Sequence, residues 1–106
     1  MSPRISGMSQ PRYSVRVSSE LRHLIPRFLE NRRGEIDRLR GALARNDLEE
    51  ARRIGHTLKG AGGGYGFHEL TRIGAEIERL AVRGEDVGAL VDALAEYLAG
   101  VEVTFE

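Results

Sequence analysis

HELTRIGAEIERLAV, His68 to Val82, carries its aliphatic residues at Leu70, Ile73, Ile77 and Leu80. Steps of three and four put those side chains on one stripe of a helix, with the charged residues on the other side. Gly84 follows as a stop. The same spacing recurs in both directions. Toward the C-terminus, Val87, Leu90, Val91, Leu94, Leu98 and Val101 mark a helix over about 86–101, with the last residues to Glu106 fraying or extending it. Toward the N-terminus, Asn46-Asp47 offers a turn and a cap, and Glu49 and Glu50 suit the positive end of a helix dipole. Leu48, Ala51, Ile54 and Leu58 then form a stripe that Gly62 and Tyr65 continue. Further upstream, Leu21, Leu24, Ile25, Phe28, Leu29, Ile36, Leu39 and Leu43 line one side of a run from Ser19 to Ala44, which Ser18 or Ser19 can cap. Pro26 interrupts that run, so a short lead-in helix ending near Leu24 or a kink is expected before the main helix.

No stretch alternates apolar and polar residues over a useful length, so the expected fold class is all-α. Four amphipathic helices with short connections pack most simply as an antiparallel up-down four-helix bundle with a short or kinked N-terminal segment. Residues 1–16 read as a flexible tail and 17–106 as the bundle. A chain of 106 residues, 41% hydrophobic and 30% charged, suits one folded domain. Sixteen basic and sixteen acidic residues cancel, which argues against a nucleic-acid or anionic-membrane partner. Without cysteine there is no disulfide or thiolate site, and no run approaches the ~20 apolar residues that span a bilayer. A cytoplasmic monomer is expected, since four helices satisfy one another's apolar faces.

The chemistry concentrates in the second helix. On a helical wheel His56 lies roughly 150° from the centre of the apolar stripe, so its imidazole faces solvent. Gly60 and Gly63 share that outward face, and Lys59 sits beside it. Glycine within a helix costs about 1 kcal/mol relative to alanine, yet Gly60, Gly62, Gly63, Gly64 and Gly66 crowd together here. Missing side chains beside an exposed nucleophile let another protein's backbone approach it; close helix packing or helix termination accounts equally well for Gly62, Gly64 and Gly66. A neutral imidazole offers a lone pair that can attack phosphorus, and Lys59 can offset charge on the phosphoryl oxygens. No carboxylate cluster is expected beside His56, so no cofactor is assigned to this chain and magnesium would come from the partner.

The run H-T-L-K-G-A-G-G-G-Y-G-F-H-E-L, His56 to Leu70, resembles the signature of histidine-containing phosphotransfer (HPt) domains, and the match continues through Ile73 and Ile77-Glu78. Gly66-Phe67 is also similar to the amino-terminal phosphotransfer domain of chemotaxis histidine kinases. The resemblance implies that His56 is the phosphoacceptor, that Lys59 steadies the phosphoryl group, and that Gly60 opens the site to a receiver's aspartyl phosphate. Leu58 and Leu70 become packing residues. It further implies a phosphocarrier rather than an enzyme, passing phosphate between a response-regulator receiver domain and a second receiver or a histidine kinase. The chain has no G-x-x-x-x-G-K-[ST] loop for ATP. Three consecutive glycines, Gly62 to Gly64, depart from the pattern and are expected to loosen the end of the helix.

Two other readings compete. A docking or scaffold module would bind the same partners without carrying phosphate, but has no need of both His56 and Lys59. A metal-binding bundle would draw on His23, His56 and His68, of which only His23 follows a Glu at the helical i+3 spacing, Glu20. His68 reads as a capping or surface residue. Arg32-Arg33 and Arg52-Arg53 read as solvated faces, with Arg52, one turn before His56, also a candidate for docking an acidic receiver surface.

Overall fold

The computed structural model describes residues 13–106, and the first part of the expected tail, residues 1–12, lies outside them. A strand β1 (Tyr13–Val17) leads into a 3-10 helix (Ser19–Leu24), followed by α1 (Ile25–Ala44), α2 (Leu48–Tyr65), α3 (His68–Val82), α4 (Gly88–Gly100) and a strand β2 (Val101–Phe105). Each α-helix packs on its two neighbours, α1 against α2 and α4, and α3 against α2 and α4. The result is the four-helix bundle that the periodicity predicts, with short turns at residues 45–47, 66–67 and 83–87.

Local chemistry sets the boundaries. Ser18 Oγ accepts from the Glu20 amide at 3.3 Å and caps the 3-10 turn, and Pro26 sits in the first turn of α1, where its missing N–H costs nothing. Asn46 takes a left-handed φ of 57°, and Asp47 Oδ1 accepts from the Glu50 amide at 3.1 Å to start α2. Gly66 ends α2 at φ 85°, a conformation that a side chain would strain.

The core joins Leu39, Ile54, Leu58, Leu70, Ile73, Ile77, Val91, Leu94 and Leu98 across all four helices. Phe28 ties α1 to the α2–α3 turn, stacking on Phe67 at 5.0 Å and meeting Tyr65 edge-on at 4.6 Å. Leu24, read as inward-facing, is instead 39% exposed, because the 3-10 turn carries it off the stripe that α1 continues.

The packing of α2 on α3 is closer than ordinary side chains permit. A Cβ on Gly74 would stand 2.5 Å from the Lys59 nitrogen, one on Gly55 2.8 Å from the Glu78 nitrogen, and one on Gly62 2.7 Å from the Phe67 oxygen. Residues 55, 59 and 62 thus face 78, 74 and 71, the register of an antiparallel hairpin.

Three expectations are corrected. Residues 13–16 are not part of a flexible tail, since β1 pairs in parallel with β2, Tyr13 with Val101 through Val17 with Phe105. The fourth helix accordingly ends at Gly100 and does not fray or extend beyond Val101. Both strands do alternate, Val15 and Val103 toward the bundle and Arg16 and Glu102 outward, but over five residues each. So small a sheet is marginal alone and is held by the bundle beneath it. Finally, Arg32 is not on a solvated face: it forks onto Glu35 at 2.8 and 3.1 Å, the two side chains only 11% and 8% exposed, and its guanidinium lies 4.9 Å over the Phe28 ring.

These contacts predict opposite effects for chemically identical changes. Gly74→Ala should destabilise the fold by about 1–3 kcal/mol through overpacking, whereas Gly64→Ala, which meets no atom within 4 Å, should stabilise it by up to about 1 kcal/mol, both read by urea unfolding. A second test concerns Tyr97, buried against the Tyr13 ring at 4.8 Å with its hydroxyl unpaired. Burial pushes its pKa up to about 12, so stability should be intact below the ordinary tyrosine value of 10.0 and fall as pH rises toward the shifted one. Tyr97→Phe should flatten that alkaline loss and cost no stability at neutral pH.

Candidate functional site

One face of α2 carries Arg52, His56, Lys59, Gly60 and Gly63, as helical spacing requires. His56 is 64% exposed, and neither Gly60 nor Gly64 has anything within 4 Å of where a Cβ would stand. Gly63 is nearly as open, with the Thr71 hydroxyl at 4.0 Å. The part of α2 that follows His56 therefore offers open space at Gly60, Gly63 and Gly64. Gly62 belongs instead to the α2–α3 contact, and the three-glycine run remains helical through Tyr65.

A residue that sequence reasoning left out completes the site. Glu78 of α3 lies beside His56, its Oε2 3.0 Å from Nδ1, while its Oε1 is 3.0 Å from Lys59 Nζ. The sequence predicts no carboxylate cluster beside His56 and points to no single carboxylate there; Glu78 is such a single neighbour. It arrives because Gly74, one turn earlier on α3, brings the two helix backbones together, and Thr71 Oγ1 donates to the Lys59 carbonyl at 3.2 Å. Linear spacing along α2 holds no trace of a partner 22 residues away.

The Lys59 ammonium holds the Glu78 carboxyl below the usual carboxylate range, and the His56 hydrogen bond adds to the effect, against a partly opposing desolvation. Glu78 is then ionised at neutral pH and can only accept, so the neutral His56 ring bonds it through an Nδ1–H. The Nε2 lone pair is left free. With a lowered pKa in the folded state, this clasp is present above the ordinary carboxylate value and lost as pH falls through the lowered one.

Arg52 is held by its own helix, forking onto Glu49 at 3.0 and 2.7 Å. His23 and His68 stand elsewhere, His23 in a groove between α1 and α2 and His68 near Tyr13 and Tyr97. Among the described residues no three His, Asp or Glu side chains gather as metal ligands.

The profile of the Hpt domain family matches residues 23–103, a span that contains all four helices. The chain belongs to the Hpt domain family. Hpt domains are helical bundles that carry phosphoryl groups on histidine in two-component phosphorelays, exchanging them with receiver domains and kinases, and histidine phosphotransfer is the general role of this domain too. No curated protein and no solved structure matches the chain. No described helix is long and apolar enough to cross a membrane.

The tautomer can be read directly. Nitrogen-15 NMR of the wild-type protein with its ring neutral should show Nδ1–H, and Glu78→Ala should move the ring toward the Nε2–H form that free histidine favours. A wild-type ring already protonated at Nε2 would contradict the assignment.

Proposed function

We propose that His56 Nε2 accepts a phosphoryl group from a receiver aspartyl phosphate or a histidine kinase and passes it to a receiver aspartate. The observation that carries this reading is the exposed imidazole whose Nδ1 is engaged by Glu78, on a helix that has open space at Gly60 one turn further on. In the forward step the Nε2 lone pair forms a bond to phosphorus. The bond from phosphorus to the aspartyl oxygen breaks, and its electron pair leaves with the carboxylate. Because Nδ1 keeps its proton, the phosphorylated ring is a cation balanced by Glu78 at 3.0 Å. That protonated ring is a good leaving group, which keeps the transfer reversible.

Lys59 offsets charge on the phosphoryl oxygens by turning its ammonium from Glu78 toward them. Gly60 and Gly63 admit the partner's backbone, and Arg52, once released from Glu49, meets an acidic partner surface. The chain acts as a phosphocarrier, working as a monomer in the cytoplasm, with magnesium supplied by the receiver. Glu78, already shared between Lys59 and His56, is poorly suited to hold a metal as well.

Incubation with phosphoramidate should add one acid-labile phosphoryl group detectable by mass spectrometry at neutral pH. His56→Gln should abolish it, and Lys59→Ala should slow loading by about tenfold or more. A folded protein that takes up no phosphate from any competent donor would leave the docking-module reading in its place.

A further inference from the structure

We propose that the cavity between β1, the start of α3 and Tyr97 of α4 binds a small carboxylate, held by the first-turn amides of α3 and the Tyr97 hydroxyl. The site is separate from His56. Gly66, on the cavity wall, stands ten residues beyond His56, about 15 Å along α2 at the helical rise of about 1.5 Å per residue.

Two sets of hydrogen-bond donors meet there. Phe67 precedes α3 and offers no capping side chain, and the helix's first bond runs from the Thr71 amide to the Phe67 carbonyl at 3.2 Å. The amides of His68, Glu69 and Leu70 come before that bond, at the helix end where the dipole favours negative charge. His68 and Glu69 line the cavity. The other donor is the Tyr97 hydroxyl. Tyr97 lines the same cavity and is 1% exposed, and its oxygen has no hydrogen-bond partner among the described residues. A buried hydroxyl left unpaired carries a desolvation cost that an acceptor removes. Glu69 and Tyr13, the neighbours that act on it electrostatically, also line the cavity, which puts the hydroxyl on that side. Burial raises the Tyr97 pKa and the two neighbours add to the rise, so the group stays protonated and donates.

Size and charge narrow the ligand. The cavity holds about 250 Å³, several times the share of about 30 Å³ that one water takes in the liquid, so an acceptor larger than a single water fits. Gly66 leaves its opening clear, since a Cβ there would meet no atom within 4 Å. The Glu69 carboxylate on the wall is already balanced by Arg72, which forks onto it at 3.0 and 2.6 Å. A singly charged anion is tolerated beside that pair, whereas a phosphate dianion would meet stronger repulsion from Glu69. A carboxylate also has the right number of acceptors, one oxygen for the α3 amides and one for Tyr97, and the Ser14 hydroxyl on the β1 wall can add a further donor.

The test follows the amide signals of the whole chain by nitrogen-15 NMR during titration with sodium acetate, with sodium chloride at matched ionic strength and inorganic phosphate as comparison anions. Acetate should shift the His68, Glu69 and Leu70 signals saturably in the millimolar range, and phosphate should bind more weakly. Tyr97→Phe, which keeps the core packing, should weaken acetate binding about tenfold or more. Glu69→Gln should tighten it, because the like charge is gone and Arg72 is released toward the ligand. Shifts that sodium chloride reproduces would overturn the proposal, leaving only a screened helix end. So would acetate affinity equal in Tyr97→Phe and the wild type, tighter binding of phosphate than of acetate, or weaker binding by Glu69→Gln.

Discussion

Where α2 crosses α3, Gly55, Gly62 and Gly74 leave no room for a side chain, and the two backbones pack directly on each other. Much else depends on that contact. It fixes the antiparallel register that sets residue 78 across from the turn holding His56 and Lys59, and it brings a side chain as short as glutamate within hydrogen-bond reach of both. A larger residue at any of the three positions would have to push the helices apart, and the distance gained would come out of the His56–Glu78 contact. The conformational cost of glycine in a helix is therefore offset at Gly55, Gly62 and Gly74 by close packing, whereas Gly60 and Gly64 meet nothing that would offset it.

The site combines a fixed ring with an open approach. Two hydrogen-bonded contacts from one carboxylate orient the imidazole and hold the ammonium nearby, while both remain accessible, at 64% and 43% exposure. Such an arrangement needs no pocket of its own. On the proposed reading the phosphorus arrives inside another protein, so the carrier would contribute a nucleophile, a balancing charge and clearance, and the partner the rest of the transition-state environment.

The remainder of the fold supports this hairpin from behind and at its ends. Phe28 packs against Tyr65 and Phe67 at the α2–α3 turn, and Arg32, held by Glu35, covers the other side of that ring. At the far edge, β1 and β2 tie the segment before α1 to the segment after α4, with Tyr13 resting on Tyr97. A parallel pair needs a long crossover, and here the whole bundle provides it.

The sequence by itself determined the four helices, the cap at Asp47, the stop at Gly84, the break at Pro26 and the outward direction of His56, because each follows from spacing of 3.6 residues or from the local chemistry of one residue. It also carried the family signature from His56 to Leu70. Only the tertiary structure decided that Glu78 completes the site, that Gly62 packs while Gly60 and Gly64 stay open, that Arg32 is covered and Leu24 exposed, and that the two chain segments outside the bundle pair as strands. These properties arise between elements distant in sequence. A helical wheel gives the direction of a side chain from its own axis, but what it meets depends on how closely and in what register a second helix lies, and that is set by the summed packing of both.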